Sequence, residues 1–284
     1  MKGRIFDIST ACIDDGPGLR TTVFLKGCNL DCPWCHNMEG KSFGPEISFD
    51  RERCIGCGTC IEVCPRSWSA SGFREGCTAC GLCVENCPSG ARRLVGRQLS
   101  AERLVTEASA DADFFDGTDG GVTFSGGEPL AQAPFLFACA RELKKRGIHL
   151  AVETSGYWPP RHVAELCRTF DLVLFDLKHV EHAECEHWLG RSCARALGNL
   201  TALLAGGVDV EVRITLVPGF NDSDADIEKM AVFLNGLEPR PAVSLLPFHR
   251  LAVSKQDLFD RKYPFADQSP TPAGQLERAA SHFW

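Results

Sequence analysis

Residues 19–37 read LRTTVFLKGCNLDCPWCHN and place Cys28, Cys32 and Cys35 on a loop directly after a predicted strand, residues 19–25. Three close thiolates can hold three irons of a 4Fe-4S cubane, and the fourth iron is then free to bind a small molecule. The alternative is a structural zinc site, which needs four ligands, and only His36 lies nearby to complete them. The segment therefore predicts a catalytic iron-sulfur cluster at the end of the first strand.

The rest of the chain shows a regular alternation of apolar strands and amphipathic helices. Further strands are predicted at residues 121–125, 148–153, 171–178, 210–217 and 243–247, and helices at 130–146, 161–169, 195–205 and 224–235. Six strands with helical crossovers predict an α/β fold with a parallel sheet. We expect the sheet to curve into a partial (β/α)6 TIM-like barrel, with the reactive loops at the carboxyl ends of the strands.

A cysteine-rich segment, residues 51–93, interrupts this alternation. The run CxxCxxCxxxCP occurs in it twice, with the spacing of bacterial ferredoxins, in which the fourth cysteine of each run ligates the other cluster. The spacing predicts two closed 4Fe-4S clusters, one on Cys54, Cys57, Cys60 and Cys87 and the other on Cys77, Cys80, Cys83 and Cys64. We therefore expect a barrel of residues 1–50 and 94–284 and a small ferredoxin-like domain of residues 51–93.

The bulk composition excludes several classes of function. The 284 residues carry a net charge of -7, which disfavours general nucleic-acid binding. No run approaches the roughly 18 apolar residues of a membrane span, and residues 1–20 lack the pattern of an export signal. Eleven of the 16 cysteines fall within residues 28–87, and clustered cysteines in a reducing compartment indicate metal rather than disulfides. We expect a cytoplasmic protein that binds neither nucleic acid nor membrane.

The CxxxCxxC motif, with Trp34 before its last cysteine, resembles the signature of the radical S-adenosylmethionine (SAM) superfamily. The flanking residues DGPGLR, at 15–20, and HN, at 36–37, resemble those of the activating enzymes of glycyl radical enzymes, of which pyruvate formate-lyase activating enzyme is the best known. The resemblance implies that the reduced cluster cleaves SAM to methionine and a deoxyadenosyl radical. That radical would abstract hydrogen from a glycine of a partner protein, in an anaerobic setting.

The resemblance also implies which residues meet the cofactor. Residues 126–129, GGEP, look like the motif that holds the methionyl amino group, and Asp176 and Lys178 resemble the DxK motif that contacts the cofactor and the incoming glycine loop. Catalytic roles are expected for Cys28, Cys32, Cys35 and Lys178. The expected cofactor contacts are Trp34, His36, Gly126, Gly127, Glu128, Pro129, Glu153, Thr154, Asp176, Lys178, Arg213 and His249. Glu153 stands where many relatives have Asp, and residues 251–255 replace a glycine-containing stretch of the family.

The expected partners are a glycyl radical enzyme and a reduced flavodoxin or ferredoxin as electron donor. Many activating enzymes are similar in carrying a ferredoxin-like insertion, which we interpret as an electron relay, with a purely structural role as the alternative. Two other functions compete: a radical SAM enzyme acting on another peptide or a small molecule, and a non-catalytic polyferredoxin. The second leaves the three-cysteine motif and residues 126–129 unexplained.

A further group of metal-ligating residue types, His179, His182, Cys185 and His187, follows the fourth predicted strand. We interpret it as a polar, solvated loop and helix start rather than as another metal site.

Overall fold

The computed structural model describes residues 1–66, 76–115 and 117–283. One sheet of eight strands carries the fold, in the order β10-β9-β8-β7-β6-β2-β1-β5, and β3 and β4 form a separate pair. The strands are β1 Lys2–Cys12, β2 Arg20–Leu25, β3 Glu46–Phe49, β4 Arg92–Val95, β5 Arg97–Ser100, β6 Gly121–Gly126, β7 His149–Thr154, β8 Leu172–Asp176, β9 Asp209–Leu216 and β10 Ala242–Pro247. Strands β2 and β6 to β10 run parallel, whereas β1 and β5 are antiparallel to their neighbours.

The α-helices lie between the parallel strands, in the inserted segment and near the carboxyl terminus. They are α1 Thr59–Glu62, α2 Leu82–Glu85, α3 Ala101–Ala108, α4 Ala133–Lys145, α5 Val163–Thr169, α6 His182–Leu189, α7 Ala194–Ala205, α8 Asp224–Asn235, α9 Val253–Phe259 and α10 Ala273–Ala280. The six parallel strands are the six that the sequence predicts, so the α/β fold with a mostly parallel sheet is confirmed.

Several elements were not predicted from the sequence. The antiparallel strands β1 and β5 extend the sheet beyond β2, and α3, α9 and α10 add further helices. Only Gly3 and Ile5 of β1 are buried, so its sequence lacks the continuous apolar run of the central strands. The strand forms because β2 and β5 supply hydrogen-bonding partners on both sides, which a local pattern does not show.

Arg20 fixes the amino ends of three neighbouring strands. Its fully buried guanidinium donates to Thr123 Oγ1 at 2.6 Å, to the carbonyls of Pro17 at 2.9 Å and Val122 at 3.1 Å, and to His149 O at 3.4 Å. Burial lowers the pKa of Arg20 to about 10. Because Arg20 opens β2, it lies at the edge opposite the cysteine loop, which follows the end of that strand. In the motif at 15–20, Arg20 therefore has a structural role.

The β3–β4 pair connects the inserted segment to the rest of the chain. Glu46 lies opposite Val95 and Phe49 opposite Arg92, and Asp50 N donates to Ala91 O at 2.8 Å. The two ends of the cysteine-rich segment are therefore side by side. In its described part the short helices α1 and α2 each follow a glycine in the left-handed region, as the sequence repeat suggests.

None of the helices in the described part of the chain is both long and apolar enough to cross a lipid bilayer.

Candidate active site

The loop that carries Cys28, Cys32 and Cys35 is closed at its base. Gly27 N donates to Gly40 O at 2.7 Å, and Cys28 N donates to Lys41 O at 3.3 Å. Within the loop, Leu30 N donates to the Cys28 Sγ at 3.4 Å. The three thiols therefore project from a compact loop at the carboxyl end of β2.

The donor set of this loop fits an iron-sulfur cluster. All three cysteines are free thiols. Burial raises the pKa of Cys28 to about 11 and that of Cys32 to about 12, and the charge that Cys35 would carry adds to both shifts, so the thiols lie within electrostatic reach of one another. Within residues 1–66, 76–115 and 117–283, no three His, Cys, Asp or Glu side chains are placed to ligate a single metal ion. A cubane differs because each thiolate ligates a separate iron.

The glycine pair after β6 packs against this loop. A Cβ on Gly127 would lie 2.4 Å from Gly27 O and 2.6 Å from Gly40 O, and Glu128 N donates to Gly27 O at 2.8 Å. We expected these glycines to let the backbone approach a ligand. The structure adds a second reason, because only glycine leaves room for the two ends of the cysteine loop.

Glu128 is buried and its carboxylate is fully used by the chain itself. Oε1 accepts from Thr154 Oγ1 at 2.8 Å and Leu130 N at 3.1 Å, while Oε2 accepts from Ser155 Oγ at 2.8 Å and Ser155 N at 3.1 Å. Burial raises the pKa of Glu128, and the hydrogen bonds from Ser155 and Thr154 oppose that rise. An ammonium group of a ligand would have to share these oxygens. Thr154 is likewise engaged, since its hydroxyl also accepts from Trp158 Nε1 at 2.8 Å.

Charged side chains converge at the carboxyl ends of β7, β8 and β9. Asp176 is paired in register with Arg213, and both charges act on Glu153, whose carboxylate accepts a hydrogen bond from Ser125. Burial raises the pKa of Glu153 despite that bond. Asp176 Oδ1 is buried without a hydrogen-bond partner among the described residues, so this face retains an unused acceptor.

Lys178 connects this charged face to the cysteine loop. Its Nζ forms an ion pair with Asp176, and its charge acts on all three thiols of the loop. Burial opposes the ammonium form, but Asp176 and a charge on Cys32 raise the pKa of Lys178 above its ordinary value. The structure thus places Lys178 within electrostatic reach of both the cysteine loop and Asp176 at the end of β8, and its catalytic role stays a prediction.

Two histidines from distant parts of the chain meet beside the cysteine loop. The rings of His36 and His249 pack edge to face with their centroids 4.8 Å apart. Burial lowers the pKa of His36 to about 4, and the positive charges of Lys255 and His249 add to this effect. Trp34 points elsewhere, because its ring is buried against Phe220 at 4.5 Å between centroids in an aromatic cluster. Its expected contact with the cofactor stays a prediction.

Comparison with known proteins agrees with this geometry. The family model of the radical SAM superfamily matches residues 22–231. The chain is 40% identical to the benzylsuccinate synthase activating enzyme of Thauera aromatica, over 96% of this chain and 87% of the relative. It is 37% identical to the trans-4-hydroxy-L-proline dehydratase activating enzyme of Clostridioides difficile, over 93% of this chain and 90% of the relative.

A solved radical SAM methyltransferase from Sphaerobacter thermophilus shares the fold, with a TM-score of 0.52, 17% identity, and coverage of 97% of this chain and 74% of that one. The chain belongs to the radical SAM superfamily. Within that superfamily its curated relatives place it among the activating enzymes of glycyl radical enzymes, as the flanks of the cysteine motif indicated.

The inserted segment of this radical SAM protein groups its cysteines in a specific way. One small cavity is lined by Cys64, Cys77, Cys80 and Cys83 together with Ile47 of β3. In the other set, hydrogen bonds from Thr59 lower the pKa of Cys57, and a charge on Cys87 opposes that shift. The crossed pairing of the eight cysteines stays a prediction from the spacing.

One residue that supports the radical SAM site was not predicted from the sequence. Asn221 is buried, and its amide donates to Lys178 O at 3.0 Å and Thr215 O at 2.9 Å while it accepts from Val217 N at 2.7 Å. It therefore fixes the backbone of Lys178 against the end of β9. An asparagine after Pro-Gly is an ordinary turn residue, so its role becomes visible only in three dimensions.

The histidine group after β8 differs in part from expectation. His179 and Cys185 are buried, so the interpretation as a solvated loop was wrong for these two residues. His179 Nδ1 accepts from Val180 N at 3.0 Å and Glu181 N at 2.9 Å, which makes it a structural residue at the start of α6. His182 and His187 are exposed, as expected.

Proposed function

We propose that this protein activates a glycyl radical enzyme by using SAM to generate a radical that takes hydrogen from a glycine of that partner. The observation that carries the proposal is the closed loop of Cys28, Cys32 and Cys35, held against Gly127 and reached by Lys178. The relationship to activating enzymes over nearly the whole chain supports it. We also infer that the six parallel strands form the partial (β/α)6 barrel around this site.

Cys28, Cys32 and Cys35 would hold a 4Fe-4S cluster at this loop. A cluster held there would supply the electron for reductive cleavage of SAM to methionine and a deoxyadenosyl radical. The chain orients SAM through Gly126 and Gly127 and through the charged strand ends. Arg213 suits the methionyl carboxylate, and Asp176 offers its unused oxygen to a donor on SAM.

Two further roles fall to residues beside the loop. His36, held neutral by its low pKa, and His249 offer ring nitrogens for hydrogen bonds to the bound cofactor. Lys178 is placed to receive the incoming glycine loop, because its ammonium lies next to both the thiols and Asp176. These assignments follow the order of the motifs along the strands.

The insertion is proposed to be a ferredoxin-like domain of residues 51–93 with two closed 4Fe-4S clusters. The cavity lined by Cys64, Cys77, Cys80 and Cys83 supports the ligand set of one cluster, and the proximity of Cys57 and Cys87 supports the other. Cys54 and Cys57 are exposed, which suits electron entry from a reduced flavodoxin or ferredoxin. The segment would then relay electrons to the radical site.

The test is anaerobic release of deoxyadenosine from SAM by the reduced, cluster-loaded protein, with Cys35→Ala as the matched control. Release by the native protein alone supports the proposal. A candidate glycyl radical enzyme is then added, and the EPR doublet of a glycyl radical is sought on it. Deoxyadenosine release without any glycyl signal, across a panel of such partners, would favour a radical SAM enzyme with another substrate. If the native protein with all its clusters loaded releases no more deoxyadenosine than Cys35→Ala, the proposed activity is refuted.

A further inference from the structure

Lys26, which directly precedes the cysteine loop, is a fully enclosed cation. Its side chain has no exposed surface, and its Nζ donates to Glu46 Oε2 at 2.7 Å and to Glu39 O at 2.6 Å. Lysine is almost never fully buried unless its charge is paired. Glu46 therefore neutralises a buried charge two residues before Cys28.

The second oxygen of Glu46 binds a cation from the other end of the chain. Arg261 donates to Glu46 Oε1 at 2.6 Å and also to the carbonyl of Met38. One carboxylate thus bridges Lys26 and Arg261, which are 235 residues apart in sequence (261 minus 26). Such a shared, hydrogen-bonded arrangement is the form in which enclosed charges are stable.

The two cations hold consecutive carbonyls at the end of the cysteine loop. Lys26 binds the carbonyl of Glu39, and Arg261 binds that of Met38, in the short 3-10 helix Met38–Gly40. Gly40 closes the loop through its bond from Gly27 N at 2.7 Å. The position of the loop end, immediately after His36, therefore depends on both cations.

Glu46 also belongs to the stem of the inserted segment. It opens β3, and the next residue, Ile47, is buried and lines the cavity of Cys64, Cys77, Cys80 and Cys83. The carboxylate therefore links the stem of the insertion to the loop of the radical site by hydrogen bonds.

We propose that Glu46 is a positioning residue for the radical site, which fixes the end of the cysteine loop and balances the charge beside it. This inference rests on the proposed function, because it takes Cys28, Cys32 and Cys35 as the cluster ligands. Without the carboxylate, Lys26 and Arg261 would repel each other and release the carbonyls of Met38 and Glu39. Net charge near a cluster is one of the properties that sets its reduction potential, so the potential must respond as well.

The experiment uses the full-length, cluster-loaded protein and two variants with opposite charge changes, Glu46→Gln and Arg261→Gln. The measured quantity is the midpoint potential of the EPR signal that added SAM perturbs, since only a cluster with an open iron responds to SAM. Glu46→Gln should move it to a more positive and Arg261→Gln to a more negative value. Both variants should bind SAM about tenfold more weakly, and Glu46→Asp should restore most of the affinity. Asp50→Asn removes a charge from the residue directly after β3, where Asp50 forms an ion pair with exposed Arg53, and should change neither property.

Midpoint potentials that shift in opposite directions in Glu46→Gln and Arg261→Gln, with unchanged iron content, support the positioning role. A purely structural effect would not make the two shifts opposite in sign. Unchanged potentials, or shifts in one direction for both glutamine variants, overturn it. If Glu46→Gln does not fold, Arg261→Gln decides by its sign, since its side chain is 26% exposed and tolerates change better. A native, fully loaded protein without any SAM-perturbed signal would instead refute the proposed function, and this inference with it.

Discussion

The carboxylate of Glu128 is held in place by the hydrogen-bond donors around it. Its four hydrogen bonds come from Leu130, Thr154 and Ser155, so it joins the glycine turn after β6 to the end of β7. The family motif suggests a role in cofactor binding, and the geometry adds that the carboxylate orders the two strand ends. Both properties depend on an acceptor with four free lone pairs in a buried place.

Replacing Glu128 by Gln should therefore destabilise the protein by about 3 kcal/mol. The amide nitrogen of Gln cannot accept hydrogen bonds, so the donors that bind one carboxylate oxygen of Glu128 would lose their acceptor. Denaturant unfolding of the reduced protein measures the change. Glu52→Gln, on an exposed part of the insertion, is the control and should leave the free energy of unfolding within about 0.5 kcal/mol of native. Equal stability of the two variants would contradict the role given to Glu128.

Gly127 is a second residue whose role depends on close contact. Gly127→Ala should displace the cysteine loop, because the new Cβ would lie 2.4 Å from a backbone oxygen. With the three clusters proposed above, iron should then fall from about twelve to about eight atoms per chain, because the radical cluster would be lost and the two proposed insertion clusters would remain. Gly198→Ala, in helix α7 with no atom near its Cβ, should keep all the iron and stabilise the protein by about 0.5 to 1 kcal/mol. Full iron in Gly127→Ala would refute the contact argument.

Among the elements, the strands of the sheet carry different interactions at their carboxyl ends and at their amino ends. The carboxyl ends of the strands carry the charged site, and the amino ends of β2, β6 and β7 are joined by Arg20. A planar guanidinium can donate hydrogen bonds to several carbonyls and a hydroxyl at once, whereas the compact ammonium of lysine cannot reach all of these acceptors. The motif at 15–20 is thereby explained in part by the packing of strands.

Arg20→Lys should cost about 3 kcal/mol or more, since at least one of the buried acceptors loses its donor and an ammonium is harder to bury. The exposed Arg103, paired with Glu107 on α3, provides the comparison, and Arg103→Lys should change stability by less than about 0.5 kcal/mol. Urea unfolding of both variants gives the two values. If Arg20→Lys and Arg103→Lys lower the free energy of unfolding equally, Arg20 does not stabilise the amino ends of the strands.

The β3–β4 pair is the element that decides whether the insertion is separable. Because Asp50 and Ala91 are hydrogen-bonded, a two-residue Asn-Gly turn can replace residues 51–90. Glu46 and its partners Lys26 and Arg261 remain in such a chain.

For the molecule as a whole, we propose that the inserted segment relays electrons to the radical site. The chain without residues 51–90 should fold and cleave SAM with a chemical reductant, within about a factor of ten of the native rate. It should release no deoxyadenosine with a reduced ferredoxin or flavodoxin, because the relay is gone. Deoxyadenosine release with each reductant is measured side by side for both chains. Undiminished activity with the protein donor would show that the insertion has a structural role instead.

The amino-acid sequence alone predicted the radical SAM chemistry and the order of the six parallel strands. The spacing of Cys28, Cys32 and Cys35, the repeated ferredoxin run and the six apolar strands are local patterns, and local patterns report cluster type, strand period and topology. Membership of the radical SAM superfamily followed from those patterns and is confirmed. The crossed grouping of Cys64 with Cys77, Cys80 and Cys83 stays a prediction that the spacing alone implies.

The distant residues that support the site can be identified only from the folded structure. The bridge from Lys26 through Glu46 to Arg261, the meeting of His36 with His249, and the hold of Asn221 on Lys178 join residues from separate elements. The carboxyl ends of β2, β8 and β10 bring Lys26, Lys178 and His249 to one edge of the sheet, while no residue in one element has a sequence period that names its partner in another. The packing of the whole chain therefore supplies the positioning, and the motifs supply the ligands.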